Sequence, residues 1–233
     1  MSDKPELLVA PCSYQAAKYA VEKWHYSRTI PSTYGRLVKF GVWEGGRFIG
    51  AVIFSHGSNR NIGSPYGLSI LEAAELVRVA LAQHDTPVSR VVSVALGQLR
   101  KQSPGVRLLI SYADPQEGHN GSIYQAMNWV YVGKSSPSFN YMIGGKKWHK
   151  KAAWASFGTN KAELLGATIV TDEGKHKYLY PLDRAMRKQI APLAQPYPKR
   201  DTRPVNGDTL ATSEAGRFDS EPGALIEAEP HGD

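Results

Sequence analysis

Asp114, His119, Asn120 and Tyr124 stand close together in LLISYADPQEGHNGSIYQAMNWVYVG (108–133). A carboxylate followed by an imidazole, an amide and a phenol can move protons, ligate a metal or orient a polar substrate. The apolar run before Asp114 reads as a buried strand that Pro115 terminates, and the carboxyl ends of such strands are where α/β proteins form ligand crevices. The same residues also suit a plain turn, since Asp before Pro often starts one and Asn120 can cap the following helix.

Three other groups carry chemistry. In Trp24-His25-Tyr26-Ser27, His25 could act as a general base or metal ligand near neutral pH with Tyr26 as a hydrogen-bonding or acid partner. A histidine that only complements a helix dipole fits the spacing equally. Arg78, flanked by Val77 and Val79, needs a carboxylate such as Glu75 or Asp114 if it points into a core, although alternation also permits a solvent-facing arginine. Lys146, Lys147, Lys150 and Lys151 surround Trp148, pairing phosphate neutralisation with a stacking surface, and Tyr141 and Trp154 add aromatic rings nearby. A solvated basic face is the plainer alternative. His56, His84, His176 and His231 show no metal-ligand spacing, and the chain has neither a Walker-type loop nor a nucleophile elbow.

The elements that must position these groups are legible in outline. LVKFGVW (37–43) and RFIGAVIF (47–54) read as strands of a hairpin, because Glu44-Gly45-Gly46 supplies the positive φ angles of a tight turn. Residues 68–81 suggest a short helical or turn start followed by a strand. Val91, Val92, Ala95, Leu96 and Leu99 form one stripe at helical spacing in 89–102, and Ser103-Pro104-Gly105 ends that helix. Strand 106–114, a helix carrying Ile123 and Met127, and strand VYVG follow. QAAKYAVEKWHYS reads as a helix leading into a polar loop, RTIPSTYGR, able to lie over a pocket; HKYLYPLDRAMRKQI (176–190) reads as a strand and a short basic helix. This alternation implies an α/β (α+β) sandwich with at least one parallel strand pair. Residues 1–190 are expected to form one domain, and 191–233 an acidic, disordered tail.

Charge points to a polyanionic partner. Lys and Arg number 28 against 21 Asp and Glu, but 201–233 holds eight of the acidic residues and only Arg203 and Arg217, which leaves 26 basic against 13 acidic residues before it. An excess near +13 attracts DNA or RNA. Cys12 is the sole cysteine, which excludes an intramolecular disulfide and a thiolate-rich zinc site. MSDKPELLVAP lacks the pattern of a secretory leader, and there is no run of roughly 18 apolar residues, so a cytoplasmic location is expected.

The order of hairpin, strand, amphipathic helix, buried strand ending in Asp and Tyr-bearing helix resembles the GCN5-related N-acetyltransferase fold, a mixed sheet flanked by helices. In that fold the later helix and strand, here SIYQAMNWVYVG, pack beside the acyl donor. AQHDTPVSR, standing where that fold's pyrophosphate loop lies, has no Gly-x-Gly or Gly-x-Ala pattern. WHYSRTIP, ELVRVAL, SYADPQEGHNGSIYQAMNW and HKYLYPLD together resemble the Mom family of phage DNA-modification proteins. The resemblance implies addition of a carbamoylmethyl-type group to adenine N6 in DNA, which shields phage DNA from host restriction. It marks His25, Tyr26, Arg78, Asp114 and Tyr124 as site residues, and it makes an acyl-CoA or related donor, or an iron held by His25 and Asp114, conceivable cofactors. The N6 lone pair is delocalised into the ring, so the reaction needs an activated electrophile, a placed base or a metal. The base must also leave the duplex stack, with Tyr26, Tyr124 or Trp148 as stacking partner. An N-acetyltransferase of a protein or small amine, and a noncatalytic DNA-binding protein, are the alternatives.

Overall fold

Gly45 and Gly46 take φ angles of 55° and 79°, so the chain reverses sharply between β2 (Val38–Glu44) and β3 (Arg47–Ser55). Only a residue without a Cβ adopts that pair of angles at no steric cost. This hairpin seeds the main sheet of the computed structural model, which describes residues 5–30, 35–57, 59–159 and 161–199. β1 (Leu7–Pro11) adds to its outer side, and β4 (Ala73–Leu81), β5 (Leu108–Ala113), β6 (Val130–Lys134) and β10 (His176–Pro181) complete the order β1-β2-β3-β4-β5-β10-β6. All neighbours are antiparallel except β4 and β5.

That parallel pair is short. Its register runs from Ala73 opposite Leu108 to Glu75 opposite Ile110, then stops although both strands continue. Where the ladder ends, the Ser111 hydroxyl lies 2.9 Å from the Leu76 carbonyl, so a side chain stands in place of the next backbone bond. A wedge therefore opens between the carboxyl ends of β4 and β5.

Helices cover both faces. α2 (Val88–Gln102) lays Val91, Val92, Ala95, Leu96 and Leu99 against Phe40, Val42 and Phe54, and α3 (Ser122–Ala126) adds Ile123 and Tyr124 to this layer. Each fully buried Val or Leu contributes about 1.5–3 kcal/mol. On the opposite face α1 (Tyr14–Trp24) packs Ala17, Ala20 and Val21 on Ala51, Ile53 and Ala80, while α6 (Arg184–Ile190) packs Met186 and Ile190 on Leu108, Ile110 and Leu179. The expected α/β sandwich with its parallel pair is present. The amphipathic stripe of α2 is the one read from sequence.

Several features differ from the sequence reading. β1 was not foreseen, and α1 ends at Trp24, which leaves His25 extended at φ −105°. Asn120 lies one residue before the helix cap, Gly121, and its side chain accepts the Ser122 N–H at 3.1 Å. The basic segment is not one unit: with β7 (Phe139–Ile143) and β9 (Thr168–Thr171), β8 (Lys146–His149) forms a second, three-stranded sheet in the order β8-β7-β9, backed by α4 (Lys150–Phe157) and followed by α5 (Ala162–Leu165). After this excursion β10 returns to the main sheet and pairs between β5 and β6. Ordered structure also continues past residue 190, since Gln195 N–H reaches the Tyr131 carbonyl at 2.8 Å and the Tyr197 hydroxyl donates to the Trp129 carbonyl at 2.8 Å. The acidic segment 201–233 and part of the RTIPSTYGR loop, residues 31–34, lie outside the described residues.

Candidate active site

Asp114 ends β5, and Pro115 turns the chain into a one-turn 3-10 helix, Pro115–Glu117. One carboxylate oxygen accepts the Gln116 N–H at 3.0 Å; the other lies 2.8 Å from Lys175 Nζ. Burial alone would raise the Asp114 carboxyl, but the Lys175 ammonium and the Gln116 amide outweigh it and hold it below its ordinary value. For Lys175 burial works downward, and Asp114 prevails to keep the ammonium above its usual value. The pair is therefore ionised at neutral pH, and Asp114 is a weak base that fixes a cation and a turn.

His25, Tyr26 and Arg78 converge on the same side. His25 Nδ1 accepts the Ser27 N–H at 3.1 Å and lies 2.9 Å from Ser27 Oγ, which assigns the ring proton to Nε2. Burial, with the charges of Arg78 and His119 nearby, lowers His25 to about 3, so the ring is neutral and presents an N–H donor. Tyr26 is half exposed, with ring centroids 4.3 Å from His25 and 5.2 Å from His119. Arg78 donates from Nε to the Thr29 carbonyl at 3.2 Å and from a terminal nitrogen to the Val77 carbonyl at 2.7 Å, which ties β4 to the loop after α1. Neither partner foreseen for Arg78 forms an ion pair with it. Asp114 is taken by Lys175, and Glu75 acts on Arg78 through charge at longer range.

Tyr124 sits in the wedge. Its hydroxyl is 2.8 Å from Ser111 Oγ, so Ser111 bridges it to the Leu76 carbonyl. The ring packs 5.0 Å from Trp129 and 5.1 Å from Tyr178, and burial pushes its phenol up to about 12. Tyr124 is partly buried, with Trp129 and Tyr178 against its ring. Trp148 is only half-buried, but Phe157 at 5.1 Å and Lys146 Nζ at 5.0 Å cover its ring. Tyr26 is the site's accessible ring; on α4, Trp154 is 60% exposed.

The basic strand reaches the site directly. Lys147 Nζ donates to Gln116 Oε1 at 2.7 Å, beside Asp114, and Lys150 Nζ lies 4.3 Å from the Phe139 ring. Lys146, Lys147 and Lys150 are exposed; the side chain of Lys151 is outside the described residues. His25 and Asp114 do not make an iron site in this arrangement, since His25 Nδ1 and both Asp114 oxygens are engaged. Among the described residues no group of three or more His, Cys, Asp or Glu is placed to hold a metal.

Glu75 is the residue the sequence underrated, figuring there only as a partner for Arg78. It occupies the last position of β4 that pairs with β5, where the wedge opens. Its Oε2 rests against Gly57 so closely that a Cβ there would come within 2.6 Å. Among the described residues no hydrogen bond or ion pair ends on its carboxyl, and burial, opposed by Arg78 and Lys175, raises it from 4.5 to about 7. A carboxyl raised in this way binds its proton more tightly folded than unfolded. Its contribution to stability is thus present at low pH and lost as pH rises from about 4.5 through about 7. Glu75→Gln is therefore expected to match the wild type near pH 4.5 and to be more stable above pH 7 by up to about 3 kcal/mol in urea unfolding. Equal stability across that range would show that the carboxyl is not strained.

The Mom protein family matches this chain over residues 6–199. The methylcarbamoylase mom of Escherichia phage Mu is 28% identical over 206 residues, covering 83% of this chain and 84% of that protein. Solved structures with some likeness include an acetyltransferase from Thermus thermophilus (16% identity, TM-score 0.39, 76% of this chain and 97% of that one). FeeM, an N-acyl amino acid synthase from uncultured soil microbes, matches with 12% identity and a TM-score of 0.45, over 81% of this chain and 96% of that one.

Proposed function

Since the chain belongs to the Mom protein family, we propose that it modifies adenine in DNA, placing a carbamoylmethyl-type group on the exocyclic N6. The observation that carries this reading is the junction between Lys147 and Gln116, which joins a cationic strand to the turn that bears Asp114. A surface able to neutralise phosphates thus borders the cluster of His25, Tyr26, Arg78, Asp114 and Lys175. A base inside a duplex cannot meet these side chains, so the adenine reaches them unstacked, with the half-exposed Tyr26 ring as its platform and the neutral His25 N–H as a donor.

For the donor we point to an open depression of about 400 Å³ between α2 and α3, whose lining includes Arg90, Ser89, Ser93, Met127 and Tyr180. One cation and two hydroxyls suit an anionic handle, and the apolar remainder suits a thin chain, as in an acyl-CoA or a related molecule. The loop before α2 does not offer a free phosphate cradle, because the buried Glu44 carboxylate accepts the Asp85 and Thr86 N–H groups at 3.0 and 2.7 Å. The arrangement gives iron no ligand set, and no step here relies on one. Among the described residues no helix is long and apolar enough to cross a membrane.

Mass spectrometry of nucleosides from DNA of cells expressing the chain tests the proposal. A new adenine nucleoside bearing the added group is the expected result. Unmodified nucleosides together with acetylation of a protein or small amine would replace it with an N-acetyltransferase, and salt-sensitive DNA binding without any new nucleoside would leave a noncatalytic binder.

A further inference from the structure

We propose that Glu75 accepts the N6–H of the target adenine and takes its proton as the new N6–carbon bond forms. The assignment rests on the adenine-modification reading and adds the group that receives the proton. Replacing an N6–H requires a proton acceptor at the amine; His119 is exposed and touches only the edge of the Tyr26 ring, and three further candidates are committed. Asp114 is paired with Lys175, His25 Nδ1 receives the Ser27 amide, and Tyr124 is bridged by Ser111. Glu75, at the last position of β4 paired with β5 and with Oε2 against Gly57, has no hydrogen bond to the described residues, and since among these only Trp129 Nε1 is both unpartnered and fully shielded, the Glu75 oxygens are not wholly closed off.

The step balances as a simple displacement. The N6 lone pair forms a bond to the methylene carbon of an alkylating carbamoylmethyl donor that carries its leaving group on that carbon and not on an acyl carbon, the bond from that carbon to the leaving group breaks with the pair going to the leaving group, and the N6 proton passes to Glu75. The groups facing this carboxyl are Arg78 on its own strand, Tyr112 from β5, Tyr124 from α3 and Lys175 from the segment before β10, with His56 bonded nearby to the Ala73 carbonyl. The two cations stabilise the ionised form needed to accept a proton, while burial keeps it basic near neutral pH.

Single-turnover modification of saturating DNA, followed across the neutral pH range, tests this with the full chain. The wild-type rate is expected to rise with pH through about 7 and then level. Glu75→Gln, nearly isosteric, is expected to lose at least about 100-fold in rate with unchanged DNA affinity and to lose that pH dependence. Glu75→Asp keeps the carboxylate and is expected to recover part of the rate. A Glu75→Gln protein that modifies DNA at the wild-type rate, or keeps the wild-type pH profile, overturns the assignment and leaves adenine modification standing. A wild type that modifies no adenine overturns both.

Discussion

Asp114→Ala is expected to reduce DNA modification by at least about 100-fold, the scale of loss that follows a misplacement of about 1 Å at a reacting centre. The reason is positional. The carboxylate holds Lys175 with one oxygen and the first amide of the 3-10 turn with the other, and that turn presents Gln116 to Lys147 and leads to His119. Without it, Lys175 is released toward Glu75 and Tyr26, both of which feel its charge, and the turn loses its first hydrogen bond. Global stability should fall by only about 1 kcal/mol, because Lys175 is 46% exposed and water screens the pair. DNA affinity should stay largely intact, since the lysines of β8 and α4 are untouched. Asp114→Asn, which keeps an acceptor for the Gln116 amide but not the charge, is expected to fall between the two. Nucleoside mass spectrometry beside a DNA-binding isotherm reads both quantities. Unchanged modification in the alanine variant would remove Asp114 from the site.

The largest effect on folding is expected at Trp129. It is fully buried between Tyr124 at 5.0 Å and Tyr180 at 5.2 Å, and its carbonyl receives the Tyr197 hydroxyl. Trp129→Ala should destabilise by about 3–5 kcal/mol, from lost burial plus the cavity left behind. Domains of this kind are stable by only about 5–15 kcal/mol, so much of the margin would go. Trp129→Phe should cost much less, because it also removes Nε1, a buried donor with no partner among the described residues. Urea midpoints of the two variants against the wild type decide the matter, and a loss under about 1 kcal/mol for the alanine variant would mean that the aromatic cluster closes over the gap.

Local pattern made much of the fold legible. The β2–β3 hairpin, the stripe of α2, the buried run of β5 stopped by Pro115 and the strand and helix of 176–190 were all readable, because each rests on periodicity or turn chemistry within a few neighbours. The small sheet was not. KKWHKK shows its charge plainly, and although Gly144-Gly145 marks a tight turn like Gly45-Gly46, whether Lys146–His149 forms a strand depends on its pairing with Phe139–Ile143. β1 was missed for the same reason: five residues become a strand only because the free edge of β2 is beside them.

The opening cluster divides in the same way. Sequence alone determined which side chains could do chemistry and that Asp114 ends a buried strand, since residue type and a following proline are local facts. Tertiary structure decided what each of them does. Lys175, remote in the chain, comes back on the lead into β10 and turns Asp114 from a candidate base into half of an ion pair. β4 and β5 stop pairing after Glu75, and its carboxyl, at the mouth of the wedge, has no partner among the described residues. Proton affinity depends on burial and on neighbouring charge, and both are set by strands that meet only when the sheet closes.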